Sequence, residues 1–134
     1  MVAALHAAQR KVTITTPYFV PDEVFLEAME TAVLQGVDVE LIVPNKSDQL
    51  LVGNAARGYY ERLLISGITI HLFHEGLLHA KSMTIDDSLA FLGSSNFDIR
   101  SFALNFEINI IFMIPGLQGH CASNKTGIES VHNN

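Results

Sequence analysis

The chain has 134 residues, the size of one compact domain, and nearly half of them are apolar, enough to fill a core. Fourteen acidic residues against eight basic ones leave a net charge of −6, the wrong balance for a protein that holds nucleic acid over a broad basic face. Cys121 is the single cysteine, which excludes an intrachain disulfide and argues against a cysteine-based metal site. No apolar run approaches the roughly 18 residues a membrane span needs.

The N-terminus, Met1 to His6, does not read as a signal peptide; it reads as the tail of a helix entered partway. Val12–Thr16 is β-branched and predicts a strand. Pro17 to Pro21 predicts a loop, after which Asp22 caps a helix with Val24, Phe25, Ala28, Met29, Ala32 and Val33 at helical spacing. Gly36 ends it. A second strand covers Val37–Val43 and closes at Pro44-Asn45. A second helix opens at Ser47 or Asp48 and runs to about Ser66, with Gly67 as its stop and Tyr59-Tyr60 packing it on the sheet. Ile68–Phe73 is a third strand.

The rhythm then changes. His79–Ile85 and Ser88–Leu92 predict two strands of a hairpin around Asp86-Asp87, and residues 96–101 a turn or short helix. Phe106–Ile114 predicts a long apolar strand. Strand–helix alternation followed by adjacent strands argues for an α/β fold, a mixed sheet flanked by helices, over residues 1–114. Residues 115–134 are rich in Gly, Ser and Asn and are expected to form a poorly ordered tail. No internal repeat is visible.

The chemistry concentrates in the second half. On a strand His79 and Lys81 share a face. An imidazole beside an ammonium, followed by the hydroxyl of Ser94 and the amide of Asn96 after Gly93, is a set of groups suited to phosphate. Glu107, on the next strand, can accept the second N–H of the His79 ring and fix its tautomer. Asp86 sits at odd parity from His79 near the hairpin tip, where a turn-forming role competes evenly with a catalytic one. His71 and His74 read as surface or loop residues, and Arg100 as an even choice between a structural ion pair and a phosphate contact. A phosphodiester displacement needs groups on opposite faces of phosphorus, and one histidine cannot serve both, so a single chain is expected to be nearly inactive alone.

This pattern, His79-Ala80-Lys81 with four residues to Asp86 and then Gly93-Ser94-Ser95-Asn96, resembles the H-x-K-x4-D…G-S-x-N motif of the phospholipase D superfamily, present here in one copy. Within that superfamily the chain is similar to the C-terminal half of the bacterial cardiolipin synthases. The residues that carry this are Thr16-Pro17-Tyr18-Phe19-Val20-Pro21-Asp22-Glu23, Gly36-Val37-Asp38-Val39, Leu50-Leu51-Val52, Tyr59-Tyr60, Leu78-His79-Ala80-Lys81, Ile85-Asp86-Asp87, residues 96–101 and Leu104-Asn105-Phe106-Glu107.

The resemblance implies a phospholipase D-like half-domain and transfer of a phosphatidyl group between two phosphatidylglycerol molecules, with glycerol released. The route is a phosphohistidine, with no metal or other cofactor. It implies His79, Lys81, Asp86 and Glu107 as catalytic residues, Asp86 being the more structural of them, and Ser94 and Asn96 as phosphate-binding residues. It also implies phosphatidylglycerol, a membrane surface and a second motif-bearing half or homodimer as partners, no nucleic acid, and a peripheral place on the cytoplasmic face of the cell membrane. A self-dimerising phosphodiesterase or nuclease of the same superfamily is the alternative, and a non-catalytic remnant that packs on a partner the third reading.

Overall fold

The computed structural model describes residues 1–45, 53–93, 97–98, 109–113 and 128–131, with side chains described over 1–45 and 58–93 and at Ile111 and Met113. In chain order the elements are α1 (Val2–Ala7), β1 (Lys11–Thr15), β2 (Phe19–Val20), α2 (Glu23–Leu34), β3 (Asp38–Pro44), α3 (Gly53–Ile65), β4 (Thr69–Phe73), β5 (Ser82–Ile85), β6 (Leu89–Gly93), β7 (Phe97–Asp98), β8 (Asn109–Met113) and β9 (Ile128–Val131).

Seven strands form one sheet in the order β8-β6-β5-β1-β3-β4-β9. β1, β3 and β4 are parallel, joined by the crossover segments that carry α2 and α3, while β5, β6, β8 and β9 add antiparallel. Alternation along β1 buries Val12 and Ile14 and leaves Lys11, Thr13 and Thr15 half-buried. Val39, Leu41, Val43, Ile70, Met83 and Ile85 continue that apolar face across the neighbouring strands. The described helices contribute to the same cluster: Leu5 from α1, Phe25, Leu26 and Met29 from α2, and Leu63 from α3. The expected helical flanks are therefore found on one face of the sheet. Arg62 of α3 donates to both Glu30 oxygens (2.6 and 2.9 Å) and to Glu23 (2.6 Å), tying the two long helices side by side.

The helix boundaries follow local chemistry. The Asp22 carboxylate accepts the Phe25 N–H at 2.8 Å, capping α2. Gly36 (φ +88°) and Gly67 (φ +93°) take the left-handed conformation that turns the chain after α2 and α3. Residues 46–52, where the second helix was expected to open, lie outside the described residues.

Three expectations need correction. Residues 97–98 form no helix: β7 pairs in parallel with β2, Phe19 opposite Phe97, so the Pro17–Pro21 loop contains a strand of its own. The tail contains a strand: Ile128–Val131 pairs antiparallel with β4. His71 is not a surface residue. It is 8% exposed on β4, with Nε2 3.6 Å from Glu40, which also accepts from Lys11 Nζ at 2.9 Å.

Candidate functional site at the carboxyl edge of the sheet

The parallel strands β1, β3 and β4 all finish at one edge of the sheet. β5 runs antiparallel to β1, with Ser82 opposite Thr15, so the segment leading into β5 arrives at that same edge. Crevices outside the carboxyl ends of parallel strands are where open α/β sheets bind their ligands. Here the edge carries Thr16 to Tyr18 after β1, Asn45 after β3, His74 after β4, and His79 and Lys81 ahead of β5. The Thr16 hydroxyl donates to the Tyr18 carbonyl (2.9 Å) and accepts the Tyr18 N–H (3.3 Å), folding the β1 exit back on itself. Asn45 binds the His74 ring through Nδ2 and Nδ1 at 2.8 Å, and its own N–H donates to the Phe73 carbonyl.

His79 and Lys81 share the expected side but not for the expected reason. The strand begins at Ser82, so both residues belong to the extended segment before it. What brings them together is direct contact. Lys81 Nζ lies 3.3 Å from Nδ1 and 3.2 Å from Nε2 of the His79 ring, and donates to the His79 carbonyl at 3.1 Å. Near-equal distances to two ring nitrogens that point apart place the ammonium beside the ring rather than in line with either nitrogen. Both groups are accessible: His79 is exposed and Lys81 half-buried. An anion approaching this edge meets a cation and an imidazole at one point.

The hairpin carries the next piece. The Gly93 N–H donates to the Lys81 carbonyl at 3.0 Å, so the end of β6 lies directly beside Lys81. Ser94 follows Gly93 in sequence, but Ser94, Asn96, Glu107 and Arg100 fall outside the described residues. The strand after Glu107 begins at Asn109, which pairs with Gly93.

Asp86 is at the opposite end of the hairpin, separated from Lys81 by the length of β5. It and Asp87 adopt φ of +52° and +55°, left-handed conformations that Asp tolerates better than most residues, in the three-residue turn Asp86-Asp87-Ser88 between the paired Ile85 and Leu89. Its carboxylate accepts backbone N–H groups from Gln9 (2.9 Å), Arg10 (2.7 Å) and Lys11 (2.9 Å), and Arg10 donates to its carbonyl. Partial burial pushes this carboxyl up, but the Lys11, Gln9 and Arg10 backbone donors and the Arg10 charge outweigh it and hold it below the usual carboxylate range. Asp86 thus pins the hairpin tip to the start of β1. The odd parity and the turn position were the sequence signal for this.

Two features of the edge were not read from the sequence. One is Leu77, 87% exposed beside His79. The other is the β2–β7 pairing, which tethers residues 97–98 to the loop after β1. No group of three or more His, Cys, Asp or Glu placed to hold a metal occurs among the described residues.

Comparison with known proteins decides the family. The family described as cardiolipin synthase, PLD-like domain, matches residues 1–123. The chain belongs to that family. It is 46% identical over 123 residues to cardiolipin synthase A of Klebsiella pneumoniae, covering 92% of this chain and 25% of that protein. To cardiolipin synthase A of Pectobacterium carotovorum it is 44% identical over 111 residues, or 83% of this chain and 23% of the relative. The chain thus spans about a quarter of the length of these relatives. Solved structures with the same fold include a phospholipase D family member, Nuc, from Salmonella typhimurium (TM-score 0.72, 20% identity, 84% of this chain and 72% of that one). Phosphatidylserine synthase from Haemophilus influenzae is another (TM-score 0.75, 17% identity, 97% and 36%). β9 lies beyond the matched residues 1–123.

Proposed function

We propose that this cardiolipin synthase-like chain contributes one face of a phosphatidyl-transfer site, with His79 and Lys81 acting on the phosphate of phosphatidylglycerol. The observation that carries the reading is the contact of the Lys81 ammonium with the His79 ring at an accessible sheet edge. The 44–46% identity to cardiolipin synthases over most of the chain supports the choice of substrate.

The chemistry follows from balance. A nitrogen lone pair attacks phosphorus, the bond from phosphorus to the glycerol oxygen breaks, and that oxygen takes a proton from an acid on the opposite face. A hydroxyl of a second phosphatidylglycerol then attacks the phosphohistidine and gives its proton to the same opposite group. The phosphorus–nitrogen bond breaks and cardiolipin leaves. His79 serves one face, as the attacking nitrogen or as the acid, and a second motif, from the remainder of a longer protein or from another copy, supplies the other. Lys81, with the Ser94 and Asn96 donors, stabilises the equatorial oxygens, and Glu107 orients the His79 ring. Asp86 acts at a distance, by holding the hairpin on β1. The surroundings proposed are those of the substrate: the cytoplasmic face of a membrane, approached peripherally. No described helix is long and apolar enough to cross one.

Incubating the chain with phosphatidylglycerol and assaying cardiolipin and glycerol tests this reading. Equimolar formation of both, abolished by His79→Ala, is the expected outcome when the opposite face is present. A second reading is a self-dimerising phosphodiesterase, which the fold shared with the phospholipase D family member Nuc would also allow. Hydrolysis of a generic phosphodiester without lipid transfer would select it.

A further inference from the structure

The loop that carries His79 and Lys81 is longer than its path. It leaves β4 after Phe73 and enters β5 at Ser82, and β4, β3, β1 and β5 are consecutive neighbours in the sheet. The crossing is three inter-strand steps, about 14 Å. The chain from Phe73 to Ser82 reaches about 30 Å when extended. Burial does little to take up that slack: residues 74–77, 79 and 80 are exposed, and Leu78 and Lys81 are half-buried. Hydrogen bonds hold the two roots of the loop. At the β5 end the Gly93 N–H donates to the Lys81 carbonyl at 3.0 Å. At the β4 end the Asn45 N–H donates to the Phe73 carbonyl at 3.0 Å, and the Asn45 side-chain Nδ2 lies 2.8 Å from His74 Nδ1.

An exposed amide–imidazole hydrogen bond adds little to global stability. Here, however, one partner is stationary. Pro44, opposite Phe73 in the last register position of β3 and β4, restricts the backbone just before Asn45. The Asn45 N–H is itself tied to β4. Its amide is therefore a post set in the sheet, and the ring it holds belongs to the first residue of the loop. Gly76 turns the chain at φ +73° between that anchor and His79.

We infer that Asn45, acting through the His74 ring, is a positioning residue for His79 and Lys81. Neither Asn45 nor His74 needs to touch substrate. The pair narrows the arrangements open to a slack, exposed loop, so that imidazole and ammonium stand together at the edge before a ligand arrives. Misplacing a reacting group by about 1 Å can cost ~10²-fold in rate. The inference rests on the phosphatidyl-transfer reading for what the loop does, but not for how the loop is held.

Backbone order parameters of residues 75–80, from amide relaxation of the chain alone, test this without any turnover. Wild type is expected near the rigid value of about 0.85, and Asn45→Ala and His74→Ala each near or below ~0.6. The double variant falls no further than either single one, because both remove the same contact. Asn45→Asp restores the wild-type values, since a carboxylate accepts from Nδ1–H and the ring can carry its proton there. Arg62→Met controls for general destabilisation. It cuts the bonds from α3 to Glu23 and Glu30, and lowers the melting temperature while leaving the loop as in wild type. A wild-type loop already below ~0.6, an unchanged loop in Asn45→Ala, or additive losses in the double variant overturn the inference. Transfer on short-chain phosphatidylglycerol, with the opposite face present, is measured alongside. The kcat of Asn45→Ala falls about tenfold, and that of Arg62→Met holds at a temperature where both are folded. An undiminished kcat in Asn45→Ala overturns the positioning role alone. Absence of transfer by wild type, with the loop responding as expected, sinks the catalytic reading alone.

Discussion

On the proposed reading, single residues at this edge divide into those that meet substrate and those that hold them there, and substitution separates the two. His79 is exposed, and its described contacts are with Lys81, so His79→Ala should leave the melting temperature nearly unchanged while abolishing transfer. Lys81→Met should keep the fold and lower turnover by roughly 10²–10³, the loss typical of one electrostatic stabiliser of a developing charge. Asp86 behaves in the opposite way. Asp86→Ala removes the acceptor of three backbone N–H groups and places a residue less suited to positive φ in the turn, costing roughly 2 kcal/mol of stability by denaturant unfolding. Its titration supplies a second check. A carboxyl held below its unfolded value contributes stability that is complete above that value, about pH 4 for Asp, and is lost as pH falls through the folded value. Unfolding free energy measured across the acid range should therefore fall less steeply in Asp86→Asn than in wild type.

At the scale of elements, the hairpin and the helices around the core were legible because their signals are local. The Asp86-Asp87 turn declared itself by residue type, and α2 by its Asp22 cap and apolar spacing. What could not be read was pairing at a distance. β2 and β7 are two residues each and owe their existence to one another across 78 positions, and β9 to an open edge on β4. His71 looked like a surface histidine because nothing in its neighbourhood of sequence says that Glu40 lies within 3.6 Å. The predicted strand at 79–85 began three residues early, since period-two reasoning cannot tell an extended approach from a paired strand. Of the site, the His79–Lys81 contact was foreseeable and the exposure of Leu77 was not, because exposure is a property of the assembled sheet. β5 joins core to site: Met83 is fully buried two residues from Lys81. Met83→Ala should cost about 2–5 kcal/mol in equilibrium unfolding and, under conditions where the variant stays folded, weaken phosphate binding by loosening the entry to β5.

For the whole molecule, the proposed reading has this chain serve one face of phosphorus and a second motif serve the other. The chain spans a quarter of its cardiolipin synthase relatives, and its described helices lie on one side of the sheet. Transfer activity should accordingly depend on a second motif. The specific activity of the chain alone should rise with protein concentration if two copies complete the site, and mixing in His79→Ala chains should depress it more than dilution does. The claim beneath all of this is that imidazole and ammonium at this edge receive one phosphate together. It is tested most directly by titrating the chain with short-chain phosphatidylglycerol while following the ring proton resonances of its six histidines. The account predicts that the His79 resonance moves saturably and that Lys81→Met weakens the response at least tenfold. A His79 resonance that stays fixed while the lipid binds elsewhere would contradict it.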